Sequence, residues 1–350
     1  MGAAPIFELG SEALKPPRLL RLAPNFYVAI FGIMKLYPAS YIIRQAEARR
    51  EIGPHTLVVE TTSGTFGLAL AMVCAERGHR LWLVGDGAID ATLRDRILGL
   101  GADISIVTEP AAVGGMQQAR LNLLTALRRD HEDHFWPAQY ENPDNSRSYA
   151  ELAEMLHAQL GQIDCLIGTV GTGGSMCGTA AALGERCPGL HVVGVDTHGS
   201  VLFGQPDRPG RLLRGLGNSL LPRNVVHTAF DEVHWVSAAD AFSAAHELHR
   251  RHALFMGPTS GAAWLAARWW AHEHPDRQVV AILPDEGHRY MSTVYDREWL
   301  AARGLGRAAL PSAPVTVDTP GFEGEGWSRF GWHRRRIDEV LAGSEIERAA

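Results

Sequence analysis

The sequence predicts an α/β protein built on parallel sheets, and three observations carry that expectation. Short apolar, β-branched runs alternate with stretches of helical spacing; glycines stand where the helical stretches stop; and turns rich in Gly, Ser and Thr separate strands from the helices that follow. Residues 55–60 (HTLVVE) read as a buried strand, 61–64 as a polar turn, and 68–77 as a helix stopped by Gly78. Residues 80–84 form the next strand and 90–100 the next helix, stopped by Gly101, before strand 103–107 and helix 116–129. Such a series makes right-handed βαβ crossovers. Beyond the loop at 142–145, helix 148–160 leads into strand 164–168, with further strands at 191–196 and 278–283 and helices at 239–251 and 261–272. Residues 203–223, rich in Gly, Pro and Arg, read as a long irregular loop. From Leu310 onward the composition shifts to Pro, Gly and charge, which predicts a peripheral tail with one terminal helix.

At 350 residues the chain can hold two domains with full cores. Its 33 basic and 39 acidic residues give a net charge of −6, no field for nucleic acid or an anionic membrane, so neither is expected as a partner. Four cysteines (Cys74, Cys165, Cys177, Cys187) form no C-x-x-C pair, which fits a reducing compartment. No apolar run reaches about 18 residues, and the N-terminus lacks a basic region followed by an apolar one; the expectation is a soluble, cytoplasmic protein. His131 with His134, and His272 with His274, lack H-E-x-x-H spacing and read as solvated helix ends, so no metal is expected. Of the 33 basic residues only Lys15 and Lys35 are lysines, which leaves two candidates for any chemistry that needs a neutral amine.

Three strand-to-helix turns could carry chemistry. Gly171, Thr172, Gly173, Gly174 and Ser175 combine crowded backbone N–H groups, two hydroxyls and a helix start, as a phosphate cradle requires. They lack the Lys of a Walker A loop and the spacing of G-x-G-x-x-G, and a plain glycine-rich turn reads equally well. Thr61-Thr-Ser-Gly-Thr65 suits a carboxylate, or only a helix N-cap. Gly257-Pro-Thr-Ser-Gly261 shares that ambiguity, and no G-x-S-x-G nucleophile elbow is present.

Taken in order, these pieces resemble the cysteine synthase family of pyridoxal-phosphate (PLP) enzymes, which includes O-acetylserine sulfhydrylase, cystathionine β-synthase and diaminopropionate-pathway synthases. The resemblance spans residues 8–300. Glu60-Thr-Thr-Ser-Gly-Thr-Phe-Gly67 is similar to the substrate loop E-P-T-S-G-N-T-G, Gly99-Leu-Gly-Ala102 to K-A-L-G-A, and Gln139-Tyr-Glu-Asn-Pro143 to Q-F-x-N-P. The 171–175 turn is similar to the G-T-G-G-T loop that holds the PLP phosphate. Gly257 to Ala262 resembles G-I-S-S-G-A, with Thr259 in place of the Ser that meets the pyridine nitrogen, and Leu283 to Thr293 resembles L-P-D-x-G-x-R-Y-L-S-T. In Lys35-Leu-Tyr-Pro-Ala39 the family's lysine and Pro-Ala keep their separation, whereas Lys15 has no such context.

The resemblance implies PLP as cofactor and a two-domain PLP fold type II, tryptophan synthase β-like, each domain a mostly parallel sheet flanked by helices. Residues 1–42 with 147–310 would form the large PLP-binding domain, 43–146 a small domain that closes over substrate, and 311–350 a C-terminal extension. Lys35 would be the cofactor lysine and the base at Cα. Thr65, Gly171, Thr172, Gly173, Gly174, Ser175, Thr259 and Asp285 would contact the cofactor, and Thr62, Ser63, Gly64, Thr65, Gln139 and Gly215 the substrate. The implied reaction is β-replacement on O-acetylserine or O-phosphoserine through an aminoacrylate, giving cysteine or another β-substituted alanine, in a homodimer acting on small amino acids. The chain departs from the pattern in Thr65 for Asn, Phe66 for Thr, Ala29 to Met34 for N-P-x-G-S, and Leu36-Tyr37 for Asp-Arg. Val195 to Gly204 and Gly215 to Ser219, with Arg208, Arg211 and Arg214, resemble the diaminopropionate-synthase and O-phosphoserine-using branch. Those arginines read either as phosphate ligands or as solvated loop charge. The alternatives are a PLP-dependent β-eliminating lyase or dehydratase, a degenerate homologue that binds PLP or a partner without turnover, and, last, a nucleotide-binding oxidoreductase, for which an acidic ribose contact is missing.

Overall fold

A computed structural model describes residues 6–208, 210–213, 215–306, 309–322 and 324–342. In chain order the elements are α1 (Gly10–Leu14), β1 (Arg18–Ala23), β2 (Phe26–Ile30), α2 (Leu36–Ala48), β3 (Leu57–Thr61), α3 (Thr65–Arg77), β4 (Arg80–Asp86), α4 (Ala91–Gly99), β5 (Asp103–Val107), α5 (Gly115–Asp130), β6 (His134–Phe135), α6 (Pro143–Arg147), α7 (Ala150–Leu160), β7 (Cys165–Thr169), α8 (Gly174–Gly184), β8 (His191–Asp196), β9 (Glu232–Val236), α9 (Ala238–His252), α10 (Pro258–Glu273), β10 (Val279–Leu283), α11 (Arg297–Ala301), β11 (Val315–Thr316) and β12 (Trp327–Gly331). They group into two compact units, one of residues 1–17 and 31–148, the other of 18–30 and 149–350.

The first unit is a four-stranded sheet in the order β5-β4-β3-β6, parallel throughout. β3 is buried along its whole length, as a central parallel strand covered by helices must be. Leu36, Ile42 and Ile43 of α2 share one core with Leu70 of α3 and Leu83 of β4. Local chemistry sets the helix limits. Asp90 Oδ1 accepts from the Leu93 N–H at 2.8 Å to start α4, and Gly78 ends α3 in the left-handed region at φ 74°. Residues 31–42 belong to this unit and not with 147–310, because α2 packs on α3 and α6.

The second unit is an eight-stranded sheet ordered β1-β2-β10-β7-β8-β9-β12-β11. Strands β2, β10, β7, β8 and β9 run parallel; β1 closes one edge as a hairpin with β2, and β12 lies antiparallel on β9. The tail is therefore not peripheral. Residues 327–331 join the sheet beside β9, with Trp327, Phe330 and Trp332 buried, because these aromatic side chains outweigh the Pro and Gly that precede them. A helical segment does begin at residue 337. The helix expected at 148–160 forms as α7, and the expected loop at 142–145 instead holds a further short helix, α6, since Asn142 caps Asp144 N–H at 2.9 Å and Pro143 opens it. α10 likewise starts at Pro258, three residues earlier than its apolar pattern, which brings Thr259 into its first turn.

All four cysteines are free and buried. Among the described residues no helix is long and apolar enough to cross a membrane.

Candidate active site

In α/β sheets ligands bind where the carboxyl ends of parallel strands meet helix N-termini, and the predicted residues gather at such ends in each unit. In the first unit the turn after β3 opens α3. Gly64 sits at φ 146°, ψ −83°, a conformation only glycine adopts without strain. Thr62 Oγ1 accepts from the N–H of Gly64 (2.9 Å) and of Gly67 (3.0 Å), so its hydroxyl proton is left to donate. Gly67 permits this approach, since a Cβ there would meet Thr62 Cγ2 at 2.5 Å. Ser63 and Thr65 are half-buried on the same turn.

Gln139 braces this turn from behind: its Nε2 donates to Thr61 O (2.8 Å) and its own N–H to Glu60 Oε2 (3.0 Å). Glu60 Oε1 accepts from Thr61 N–H (2.7 Å) and Trp136 Nε1 (3.1 Å). Burial pushes the Glu60 carboxyl up from 4.5 to about 7 against those hydrogen bonds. Lys35 ends the turn before α2, and desolvation lowers its amine from 10.5 to about 8. A neutral amine is thus within reach at ordinary pH, as a cofactor lysine requires.

Sequence reasoning missed Arg120 on α5. It is buried, with NH1 donating to the buried Asp86 Oδ2 at 2.6 Å, and its Nε has no hydrogen-bond partner. Tyr140, whose hydroxyl is pushed up by burial and held down by the Arg120 charge, shares a hydrogen bond with the Thr61 side chain. Arg120 lies in no recognisable motif. The one available signal was that α5 precedes a strand whose neighbour β3 carries the hydroxyl turn.

In the second unit the 171–175 turn joins β7 to α8. Gly173 stands at φ 85°, and a Cβ there would fall 2.4 Å from Asn224 O; a Cβ on Gly171 would fall 3.0 Å from Gly215 O. Thr172 and Ser175 are buried hydroxyls at the same helix start. Backbone N–H groups, two hydroxyls and a helix N-terminus, with no space for side chains, fit a phosphate monoester such as that of PLP. Gly215 also approaches Thr259, its Cβ position 3.4 Å from Thr259 Cγ2, so three predicted positions converge here. Thr259 Oγ1 donates to Asp285 Oδ1 (3.1 Å) and Tyr290 OH donates to Oδ2 (2.7 Å); burial raises the Asp285 carboxyl above its ordinary value.

Among the described loop arginines, Arg211 is engaged within its own loop. Arg211 donates to Gly199 O, to Asp207 Oδ1 (2.6 Å) and to Ser219 Oγ (2.7 Å), which spends its donors on clamping its own loop. The aliphatic stem of Arg208 packs over Gly199, and Arg214 lies outside the described residues.

The hydroxyl turn and buried amine of the first unit, and the glycine cradle of the second, are each of the kind that a PLP enzyme requires. Residues 31–285 match the model of the family described as pyridoxal-phosphate dependent enzyme, and the chain belongs to that family. It is 38% identical over 288 residues to an N-(2-amino-2-carboxyethyl)-L-glutamate synthase of Cupriavidus metallidurans, covering 80% of this chain and 84% of that one. A synthase of the same name from Ralstonia nicotianae is 36% identical over 297 residues, covering 83% and 88%. Among solved structures the chain is similar to the O-acetylserine-dependent cystathionine β-synthase of Helicobacter pylori, with 25% identity, a TM-score of 0.76 and coverage of 83% of this chain and 99% of that one. An O-ureido-L-serine synthase matches with 26% identity, a TM-score of 0.76 and coverage of 85% and 100%. The protein is therefore a PLP-dependent enzyme of the cysteine synthase type with fold type II architecture.

Proposed function

We propose that this enzyme joins the amino group of L-glutamate to Cβ of O-phospho-L-serine, giving N-(2-amino-2-carboxyethyl)-L-glutamate and inorganic phosphate. The Cβ–O bond breaks with its electron pair leaving on phosphate, the N–Cβ bond forms, and the glutamate ammonium loses one proton. The reading rests on two relatives that carry this product in their names. The observation that supports phosphate as leaving group is Arg120, a buried guanidinium with an unpartnered Nε in the unit that carries the hydroxyl turn.

When bound, PLP supplies an electron sink for the pair released as the Cα–H bond breaks. The 171–175 turn would hold its phosphate and Thr259 its ring nitrogen. Lys35 Nζ, neutral above about pH 8, takes the Cα proton and returns it after the new bond forms. Thr62, Ser63 and Thr65 at the start of α3 bind the substrate carboxylate, on a backbone fixed by the Gln139–Thr61 bond. Thr65 provides a hydroxyl where the family has an amide, so it keeps a donor and loses reach. We further propose a homodimer in a reducing cytoplasm, which light scattering on the purified protein would check.

The test is product analysis by mass spectrometry with O-phosphoserine or O-acetylserine, each with glutamate or sulfide. The glutamate adduct and stoichiometric phosphate are expected. Pyruvate and ammonia with every nucleophile would instead make the enzyme a β-eliminating lyase, and cysteine from O-acetylserine with no glutamate adduct would make it a cysteine synthase.

A further inference from the structure

The tail that completes the second unit's sheet also reaches the long loop after β8. Gly326 O accepts from His198 Nε2 at 2.9 Å and from the Ser237 N–H at 2.9 Å, so one tail carbonyl ties that loop to the start of α9. The Phe322 ring stands edge-on to His198 at 5.7 Å and to Trp235 of β9 at 5.9 Å. Trp332 stacks on His227 at 5.6 Å and meets Phe203 edge-on at 5.2 Å. Three anchors keep the tail in place: Trp327 Nε1 donates to His234 Nδ1 (3.0 Å), Arg334 donates to both oxygens of Asp231 (2.8 and 3.1 Å), and β12 pairs with β9.

From His198 the loop continues inward. Ser200 Oγ accepts from the Asn218 N–H (3.0 Å), Asn218 Nδ2 donates to Gly171 O (3.2 Å), and Gly217 N–H donates to Val170 O (2.9 Å). The last two bonds reach the start of the glycine turn. Burial also lowers the His198 pKa, and since a carbonyl can only accept, its Nε2 carries the proton shared with Gly326 O.

We propose that the tail, through Phe322 and the Gly326 carbonyl, is a positioning element that holds the 196–219 loop, and with it the cofactor-phosphate turn, in binding geometry. Phe322 and His198 are thus positioning residues acting through Ser200 and Asn218. The proposal rests on the reading of residues 171–175 as the PLP phosphate site.

The test uses the full chain with Phe322→Ala, His198→Phe and His198→Gln, read by hydrogen exchange of the cofactor-free protein, PLP dissociation constant, and KM against kcat. Phe322→Ala removes a half-buried ring at the rim, and His198→Phe keeps the ring contact but loses the donor, so folding is checked by an unchanged exchange pattern in β7 and β10. Faster exchange confined to 196–219, PLP affinity lower by about five- to tenfold, and restoration by the donor in His198→Gln are expected. Unchanged exchange in 196–219 overturns the proposal. So does faster exchange with PLP affinity and KM intact, since the tail would then serve stability alone. Gly173→Asp is the control for the phosphate-site reading: if it retains PLP affinity, that reading fails, while loop exchange still judges the tail.

Discussion

The two units present ligand-binding edges of the same kind and furnish them with opposite chemistry. In the first, the edge is lined by groups that titrate or carry charge: Lys35, Glu60, Arg120 and its partner Asp86. In the second, the corresponding turn is backbone and glycine, and the side chains that approach it are neutral hydroxyls and an amide: Thr172, Ser175, Thr259 and Asn218. A backbone cradle cannot be retuned by one substitution and is weakened by one Cβ, whereas a side-chain site can change what it accepts and still fold. Damage to the first unit should therefore alter turnover and substrate choice, and damage to the second should alter whether cofactor is held.

The largest effect is expected from Lys35→Ala, which removes both the amine that bonds the cofactor and the base. Turnover should fall by at least ~10³-fold, within the range set by a lost general base, and the visible absorption of lysine-linked PLP should vanish. Cofactor should still bind through its phosphate, with affinity reduced but measurable by fluorescence quenching. Residual turnover near wild type would place the cofactor lysine elsewhere, and Lys15 is the one other lysine in the chain.

Gly173→Ala should have the reverse signature. Its Cβ would lie 2.4 Å from Asn224 O on a backbone at φ 85°, strain on the order of 1–3 kcal/mol. PLP affinity should drop roughly 10- to 100-fold, the equivalent of that strain at about 1.4 kcal/mol per tenfold, and turnover at saturating PLP should recover. Equilibrium dialysis separates this outcome from a fold that is simply lost.

Arg120→Lys should cost less, and selectively. The ammonium keeps its charge against Asp86, whereas removing the cation outright would strand a buried carboxylate at about 3–5 kcal/mol. What lysine lacks is the Nε–H and the planar fork. KM for O-phosphoserine should rise about tenfold with KM for O-acetylserine unchanged, and equal losses on both substrates would remove Arg120 from phosphate recognition.

These contrasts were unequally legible in the sequence. The glycine turn and the hydroxyl turn are each ambiguous alone, since turns and helix N-caps use the same residue types, and it is their order along the chain, with Lys35 one of two lysines, that singles them out. Strand β8 and strand β5 were read to the residue, since continuous apolar runs between turns leave little freedom. Arg120 was invisible: nothing local distinguishes a helical arginine that enters a core from one that faces water, and only the pairing with Asp86, 34 positions away, makes the difference. The β1–β2 hairpin was hidden by Arg21, Pro24 and Asn25, which break an apolar run yet occupy its turn and solvent-facing edge. β9 was hidden because Glu232 and His234 look polar, although they bond each other (2.5 Å) in the interior. Arg211 could be read either as a phosphate ligand or as solvated loop charge, because sequence alone does not show that the Gly199 carbonyl and Asp207 take its NH1 donors.

The smallest effect concerns the buried carboxyl that each unit carries at the end of a strand. Burial raises both Glu60 and Asp196 to about 7. Folding therefore favours the protonated acids: each contributes stability that is complete below its unfolded value, near 4, and is lost as pH rises through 7, on the order of 4 kcal/mol at most. The two differ in their partners. Both oxygens of Glu60 accept N–H groups, so Glu60→Gln turns an amide NH2 against a donor and should destabilise at every pH. Asp196 accepts on Oδ1 from the Thr197 N–H (2.8 Å) and pairs with the Ser200 side chain, whose hydroxyl can accept as well as donate, so the amide of Asp196→Asn is better tolerated. Denaturant titrations of wild type and Asp196→Asn at pH 5 and pH 7.5 should show the variant gaining relative stability at the higher pH while activity changes less than twofold. A constant difference between the two proteins across that range would mean that Asp196 is ionised in the fold, with Arg211 outweighing its burial.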